Sequence, residues 1–296
     1  MRRYAFDWVD AFTDRAFGGN GCAVVHDGAA LDVGTCTDFV KETSLVECTF
    51  TGPSDVADVR VRYFLAGGEI PFAGHPTIAT VAALMARGKV KGDHLTLETG
   101  AGVVPITIEG DLIEMTQKAP EFGAMPGRAV VAGTIGLPVD AILGEPQVVS
   151  TGLPFCITVL RDHGALKAAK LDLEAMPTFK AACGVGVEDV LEPFLVTLDG
   201  ATSAGDTFAR LLLPPPNPPE DPFTGSATGA MAAYLWRTGM MEHAGFTAEQ
   251  GHWIGRPGLA RVTRVGTPEA ITGVKVAGRG YVLMQGDVIL PDSAEV

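Results

Sequence analysis

A twenty-residue segment occurs twice in this chain, at residues 69–88 and 220–239. The copies read EIPFAGHPTIATVAALMARG and EDPFTGSATGAMAAYLWRTG, and they agree at nine positions without gaps. Each copy contains a Pro-Phe turn, a glycine, a residue of the helix-capping type and then a helix of small residues that ends at a glycine. Such a repeat indicates that the chain folds as two lobes that share one fold.

Both repeated helices are apolar on nearly every side. A helix on a protein surface needs a polar face, so each is predicted to run through the middle of its lobe, wrapped by strands. One interpretation is that they are central helices and nothing more. The alternative is that their N-termini point into a shared cleft, where backbone N–H groups and helix dipoles bind a substrate carboxylate.

The length of the chain fits two lobes. With 296 residues it can bury two cores. Alternating apolar residues predict mainly strands in both halves, and Pro120 to Pro126 has the composition of a linker. We therefore predict an α+β protein with an N-terminal lobe over residues 1–126 and a C-terminal lobe over residues 127–296. The last strand is expected to pair back with the first lobe.

The charge and composition exclude several classes of function. A net charge of −13 without a cluster of basic residues argues against nucleic acid and against anionic membrane surfaces as partners. The N-terminus reaches Asp7 and Asp10 too early for a signal peptide, and the longest apolar stretch is too short to span a membrane. Five scattered cysteines without a C-x-x-C pair favour reduced thiols, so we expect a cytoplasmic protein.

The sequence contains no motif for a metal ion or a cofactor. The histidines lack the spacing of zinc ligands, and there is neither a G-x-G-x-x-G segment after a strand nor a P-loop. We therefore expect neither a metal nor a cofactor, and chemistry that side chains carry out themselves.

Glu47 is the first candidate for such chemistry. It lies on a predicted strand over residues 45–50, on the same face as Leu45 and Thr49. A poorly solvated carboxyl in this setting would have a raised pKa and could shuttle a proton. The alternative is an ordinary exposed glutamate on a strand.

Three further candidates lie near the starts of the repeated helices. His75 could bind a substrate or tune a carboxylate, and it could equally take the place of a helix cap. Asp221 and Ser226 could both be presented at one helix start. Their alternative roles are a turn aspartate and a helix-capping serine.

Several motifs resemble those of the phenazine-biosynthesis (PhzF-like) isomerase family and follow in the family's order. They are Asp10-Ala-Phe-Thr-Asp-Arg-Ala-Phe-Gly-Gly-Asn20, Glu69-Ile-Pro-Phe-Ala-Gly-His75-Pro-Thr-Ile-Ala79, Glu220-Asp-Pro-Phe-Thr-Gly-Ser226 and Gln250-Gly251. The resemblance implies the diaminopimelate-epimerase-like fold, in which each of two similar lobes is a curled, mostly antiparallel sheet around a central helix. It also implies a cofactor-independent isomerase that moves a proton between carbons of a small carboxylate. The family's prototype isomerises a dihydro-hydroxyanthranilate.

The same resemblance implies roles for individual residues. Glu47 corresponds to the catalytic acid/base, and His75, Asp221 and Ser226 correspond to residues that surround the substrate. We assign these four to catalysis. Substrate binding is assigned to four more residues of the same motifs, namely Asn20, Gly74, Thr77 and Gly225. The sequence departs from the family pattern on both sides of Glu47, with Val46 and Cys48 in place of serine and threonine, and at Gly21, in place of proline.

Two other functions fit a protein with this fold. A two-cysteine racemase or epimerase needs a thiol near each helix start, and neither residues 72–74 nor 223–225 contain one. A non-catalytic metabolite-binding protein needs the helix starts but no acid/base such as Glu47. A small carboxylate is the expected partner. The family resemblance and the rather apolar strand at Tyr281 to Met284 favour a homodimer.

Overall fold

The computed structural model describes residues 1–187, 189–215 and 217–291. The chain divides into two compact units, of which the first comprises Met1–Thr116 with the segment from Ala277 onward, and the second comprises Gln117–Val276. The boundary predicted from the sequence is at residue 126. The structure divides the chain earlier, because the segment interpreted as a linker contains a short strand, Glu121–Phe122, that pairs within the second unit. Among the residues described, no helix is both long and apolar enough to cross a membrane.

The first unit combines a mixed sheet with helices. Its elements are β1 (Arg2–Ala11), β2 (Asn20–Val25), α1 (Val33–Thr43), β3 (Glu47–Gly52), β4 (Val59–Leu65), β5 (Gly68–Ile70), α2 (Gly74–Ala86), β6 (His94–Thr99), β7 (Gly102–Glu109), β8 (Leu112–Gln117) and β18 (Gly280–Leu290). Strands β2 and β3 pair in parallel, as do β4 and β6. Neighbours such as β1 and β2 or β3 and β4 are antiparallel. The last strand, β18, pairs along β1.

Helix α2 lies at the centre of the first unit. Eleven of its thirteen residues are buried, from Gly74 to Leu84, and β1, β2, β3 and β18 pack against it. At Gly280 the strand comes so close that a Cβ would lie 2.5 Å from the Cβ of Ala82. Just beyond the helix, Gly88 has a φ of 64°, the left-handed conformation that commonly follows a helix. The central position predicted for this helix is confirmed.

The second unit repeats this order of strands and adds helices. Its elements are β9 (Glu121–Phe122), α3 (Arg128–Thr134), a 3₁₀ turn (Val139–Ala141), β10 (Ile142–Ser150), β11 (Pro154–Leu160), α4 (His163–Ala168), α5 (Met176–Ala182), β12 (Pro193–Thr197), β13 (Thr207–Leu212), β14 (Glu220–Asp221), α6 (Gly225–Arg237), β15 (Gly245–Gln250), a 3₁₀ turn (His252–Ile254), β16 (Gly258–Gly266) and β17 (Ile271–Gly278). The parallel pairs β11–β12 and β13–β15 correspond to β2–β3 and β4–β6.

The two repeated segments form helices of equal length. Helix α6, like α2, has thirteen residues, of which eleven are buried. The fourth residue of each helix is a threonine that donates a hydrogen bond to the carbonyl of the residue before the helix. Thr77 reaches Ala73 O at 2.7 Å, and Thr228 reaches Thr224 O at 2.9 Å. The repeat in the sequence is therefore also a repeat in the structure.

The glutamates that open the two repeats form matching ion pairs. Arg62 donates from Nε and Nη2 to the two oxygens of Glu69, at 2.8 and 2.7 Å. Arg210 donates from the same two atoms to Glu220 Oε2, at 3.0 and 2.8 Å. The remaining nitrogen of each arginine binds two backbone carbonyls. Each pair thus fixes the short strand that leads into a central helix.

Glu192 is the counterpart of Glu47 in the second unit. Glu47 lies three residues before Phe50, the strand partner of Arg62. Glu192 lies three residues before Leu195, the strand partner of Arg210. Glu192 is buried, with 6% of its surface exposed. Burial raises the pKa of its carboxyl, and the positive charge of Lys180 opposes this only in part.

We expect Glu192→Gln to stabilise the protein at neutral pH. A carboxyl whose pKa is raised in the folded state stabilises the fold below its ordinary pKa of 4.5 and loses that contribution as the pH rises. Thermal unfolding should therefore give a higher midpoint for the variant at pH 7 than for the wild type, and a smaller difference at pH 4. The exposed Glu242, changed to glutamine, is the control. A difference between variant and wild type that does not grow with pH would contradict this prediction.

A buried ionic group fixes the C-terminal end of α2. Arg87, which follows the helix, donates from Nε and Nη2 to the two oxygens of Asp7, each at 2.6 Å. Nε2 of His26 lies 2.8 Å from Asp7 Oδ2. Burial alone would raise the pKa of Asp7, but the hydrogen bonds from Arg87 and His26 outweigh it and lower the pKa. Burial lowers the pKa of His26, which favours a neutral imidazole that donates its Nε2 hydrogen to the carboxylate.

Candidate active site

Glu47 is the first residue of β3 and faces the central helix. The next residue, Cys48, and Phe50 belong to the hydrophobic cluster on the α1 side of the sheet. Thr49 points the other way, and its hydroxyl lies 2.8 Å from that of Thr80 in α2. Because side chains alternate along a strand, Glu47 shares the face of Thr49. Its side chain is 13% exposed, so it is not an ordinary exposed glutamate.

One part of the predicted setting of Glu47 is wrong. Leu45 was expected to share its face, but the strand begins only at Glu47. Leu45 packs instead against the hydrophobic cluster next to α1. The alternation that places Thr49 beside Glu47 therefore cannot be extended backwards to Leu45.

Three predicted site residues from three different elements meet at the start of α2. Nδ1 of His75 lies 3.4 Å from Oε2 of Glu47 and 3.3 Å from Nδ2 of Asn20. His75 is the second residue of α2, and Asn20 is the first residue of β2. His75 and Asn20 are 6% and 2% exposed. The group is therefore nearly closed to water.

The geometry couples the protonation states of this group. An imidazole nitrogen either carries a hydrogen or accepts one. With a hydrogen on Nδ1, His75 donates to the Glu47 carboxylate. With a lone pair on Nδ1, His75 accepts a hydrogen either from Nδ2 of Asn20 or from a protonated Glu47 carboxyl. Gain or loss of a proton by Glu47 is thus linked to the tautomer of His75.

The starts of the two repeated helices differ from the prediction. His75 and Ser226 were read as residues of the capping type, but the helices begin one residue earlier, at Gly74 and Gly225. The residues that precede them make no side-chain cap. Both His75 and Ser226 therefore lie inside the first turn. The first N–H groups of a helix have no acceptor within the helix, so both starts are suited to an anion.

Thr77 is held inside the fold. Its hydroxyl donates to Ala73 O and lies 2.9 Å from the hydroxyl of Tyr63. Its exposed fraction is zero. Thr77 is thus enclosed in the first unit, and its assignment to substrate binding stays a prediction. Its position explains why threonine occurs in both copies of the repeat.

Asp221 lies at the end of β14 in a turn with extensive hydrogen bonding. Its exposed fraction is 6%, and Thr224 Oγ1 donates a short hydrogen bond to its Oδ2. The amide of Gln250 donates to Asp221 O at 2.8 Å and accepts from Thr224 N at 3.1 Å. The carboxylate of Asp221 is therefore held beside the start of α6, and its assignment to catalysis stays a prediction.

Ser226 is half-buried on the first turn of α6. The repeat places it at the position of His75 in α2. The carbonyl of Gly225 accepts a hydrogen bond from Gln117 Nε2 at 2.9 Å, and the carbonyl oxygen of Ser226 lies 3.4 Å from Thr151 Oγ1. The structure thus brings Asp221, Gly225 and Ser226 together around one helix start.

Several polar residues that build this helix start are not among the site residues predicted from the sequence. Gln250 stood in a recognised motif, which was a usable signal, and Thr224 lies inside the repeat. Nothing in the sequence pointed to Gln117 or Thr151. Their partners are 108 and 75 residues away along the chain.

Cys22 on β2 and Cys48 on β3, the two cysteines next to Glu47, are poorly suited to act as the thiol pair of the racemase alternative. All five are free and buried. Burial raises the pKa of Cys22, and it raises the pKa of Cys48 to about 11. Thiols of this kind stay protonated and are poor proton acceptors near neutral pH. Within the described part of the chain, no three His, Cys, Asp or Glu side chains are grouped so that they could hold a metal ion.

A sequence profile described as "Phenazine biosynthesis-like protein" matches residues 9–286. The chain belongs to this family. A relative from Pseudomonas fluorescens named "Trans-2,3-dihydro-3-hydroxyanthranilate isomerase" is 30% identical, over 95% of this chain and 98% of the relative. Another, from Escherichia coli O157:H7 and named "Uncharacterized isomerase YddE", is 32% identical over 94% of this chain and 96% of the relative.

Solved structures agree with this family membership. A PhzF-family protein of Bacillus anthracis is 27% identical, with a TM-score of 0.87 over 98% of this chain and 100% of that one. A hydroxyproline epimerase from Agrobacterium vitis is only 13% identical, with a TM-score of 0.64 over 99% of this chain and 92% of that one, and shows the fold alone. The predicted α+β fold, the PhzF-like family and its isomerase class are confirmed.

Proposed function

We propose that this protein moves a proton between two carbons of a small carboxylate, with Glu47 as the acid/base and without a cofactor. The contact between Glu47 and His75 at the buried start of β3 is the observation that best supports this. A carboxyl that is shielded from water, faces a central helix and shares a proton site with an imidazole is suited to take up and return a proton.

The proposed reaction proceeds in two proton transfers. The Glu47 carboxylate takes a proton from one carbon, so that a C–H bond breaks and an O–H bond forms. The electron pair stays on the substrate and shifts its double bond. The neutral Glu47 then returns the proton to a second carbon, which regenerates the carboxylate. His75 supports the charged form of Glu47 by donating from Nδ1.

Other site residues are proposed to bind and orient the substrate. Asp221 and Ser226 are the candidates of the second unit, with Gly225 between them in the first turn of α6. Asn20 and Gly74 are the candidates of the first unit. The helix starts supply backbone N–H groups for a carboxylate, while a fixed carboxylate such as that of Asp221 suits a hydroxyl or amino group.

Trans-2,3-dihydro-3-hydroxyanthranilate is the substrate to test first, because it is named in a relative that matches nearly the whole chain. Gly21 and Cys48 replace the residues usual in the family, and both lie beside a site residue, so a related cyclic acid belongs in the same assay.

The test is to incubate the purified protein with this compound and to follow its carbon-bound hydrogens by NMR. Enzyme-dependent conversion to an isomer of equal mass is the expected result. Exchange at the α-carbon of proline or hydroxyproline without any isomerisation would instead support the epimerase alternative. Binding of the compound by calorimetry, without any conversion, would support a metabolite-binding protein.

We also propose that the protein is a homodimer. The apolar side chains that motivate this on β18 are accessible in the single chain, with Tyr281 39% and Met284 52% exposed. Analytical ultracentrifugation at micromolar concentration should show a species of twice the chain mass of 30.9 kDa. A single species at the chain mass would contradict the prediction.

A further inference from the structure

A buried polar side chain outside the assigned site contacts the first turn of α6. Gln117, the last residue of β8, is 8% exposed. Its Nε2 donates to Gly225 O at 2.9 Å, and its Oε1 accepts from Thr151 Oγ1 at 2.6 Å. Thr151 is 5% exposed and lies in the turn between β10 and β11. A chain of two hydrogen bonds therefore runs from Thr151 through Gln117 to the helix.

The helix is built to admit this side chain. A Cβ at Gly229 would lie 1.8 Å from Oε1 of Gln117 and 2.7 Å from its Cδ. No residue other than glycine fits there while Gln117 keeps its place. Glycine inside a helix is about 1 kcal/mol less favourable than alanine, and α2 has Ile78 at the corresponding position of the repeat. The space beside Gln117 is thus specific to α6.

We infer that Gln117 is a positioning residue, which fixes the Gly225–Ser226 peptide and strengthens the Ser226 N–H as a donor to the substrate carboxylate. The inference rests on the proposed function for the identity of the acceptor. A hydrogen bond to a peptide carbonyl polarises the whole amide group, so its N–H becomes a better donor. The Ser226 N–H belongs to the same peptide as the Gly225 carbonyl that Gln117 binds. As part of the first turn, it has no acceptor within the helix.

Kinetics should separate this role from simple support of the fold. Gln117→Met preserves length and volume but loses both hydrogen bonds. With trans-2,3-dihydro-3-hydroxyanthranilate we expect KM to rise about tenfold, the range typical of one lost buried hydrogen bond, with a smaller change in kcat. An equal KM in variant and wild type, or a loss confined to kcat, would overturn the inference.

NMR tests the role of Gln117 without requiring the protein to convert a substrate. Its result therefore stays informative about Gln117 even if the proposed function is wrong. Selective ¹⁵N-serine labelling gives few resonances, because the chain has six serines. Gln117→Met should shift the Ser226 amide nitrogen upfield as the bond to the preceding carbonyl is lost. It should leave Ser44, which caps α1, unmoved. An unchanged Ser226 resonance would overturn the inference whatever the activity.

A double-mutant cycle supplies the third measurement. Gly229→Ala should displace Gln117, shift the Ser226 resonance in the same direction as Gln117→Met, and lower the unfolding midpoint. In a Gln117→Ala background, Gly229→Ala should leave the unfolding midpoint unchanged or raise it. The clash with the Gln117 side chain is then absent, and alanine favours the helix more than glycine does. Gly133→Ala in α3, where a Cβ would meet nothing within 4 Å, is the control. A Gly229→Ala effect of equal size in both backgrounds would overturn the inference.

Discussion

Replacing Glu47 by glutamine should lower kcat by about two to four orders of magnitude and leave substrate binding nearly intact. Glutamine keeps the shape of the side chain but can neither take up nor return a proton, and loss of a general acid/base typically costs this much. Steady-state kinetics on trans-2,3-dihydro-3-hydroxyanthranilate measures kcat, and calorimetry measures binding. His75→Gln should instead weaken both, because in the proposed mechanism His75 supports Glu47 and lines the same site.

Glu42→Gln is the matched control for Glu47→Gln. Glu42 is exposed on α1, in the same unit and five residues from Glu47. Its kinetics should match those of the wild type. Turnover by Glu47→Gln within a factor of a few of the wild type would contradict the assignment, and Asp221 would then be the next candidate for the proton-transfer residue.

Asp7→Ala should destabilise the first unit by about 3–5 kcal/mol, the range found when one partner of a buried ion pair is removed. The change leaves the Arg87 guanidinium without its carboxylate and removes the acceptor of the fully buried His26. Because Arg87 caps the end of α2, the central helix should loosen first at this end. Urea unfolding followed by circular dichroism measures the free energy of unfolding.

Asp287→Ala is the control for Asp7→Ala. Asp287 of β18 pairs with Arg3 of β1 at 3.0 Å, and both of these side chains are exposed. Removal of an exposed pair should cost about 0–1 kcal/mol. Equal losses for the two variants would show that the buried group at the end of α2 contributes no more than a surface ion pair.

The internal repeat was the strongest signal in the sequence, and the structure explains why. Two of the shared positions make the same local contact in both units: Glu69 and Glu220 bind an arginine, and Thr77 and Thr228 donate a hydrogen bond to the residue before the helix. The near absence of polar residues in both helices predicted their burial correctly. Contacts of this kind can be predicted from a sequence because the interacting residues are close along the chain.

The site was predictable only in part. The face of Glu47 followed from strand alternation, yet the start of the strand could not be fixed, and Leu45 was misplaced. The helix starts were placed one residue late, because a glycine was read as a residue before the helix. Gln117 and Thr151 gave no signal at all, since their partners are set by tertiary packing over long separations. The carboxyl of Glu192 could be matched to Glu47 only through the strand registers.

Deuterium transfer tests the central claim, that Glu47 moves a carbon-bound proton, most directly. Wild-type protein and Glu47→Gln are incubated with trans-2,3-dihydro-3-hydroxyanthranilate in D₂O, and the product and the remaining substrate are examined by NMR and mass spectrometry. We expect the wild type to form the isomer. Deuterium should enter at the carbon that receives the proton, to the extent that the Glu47 carboxyl exchanges its hydrogen with solvent. With Glu47→Gln we expect neither isomer nor exchange. Normal isomerisation or exchange by the variant would contradict the account.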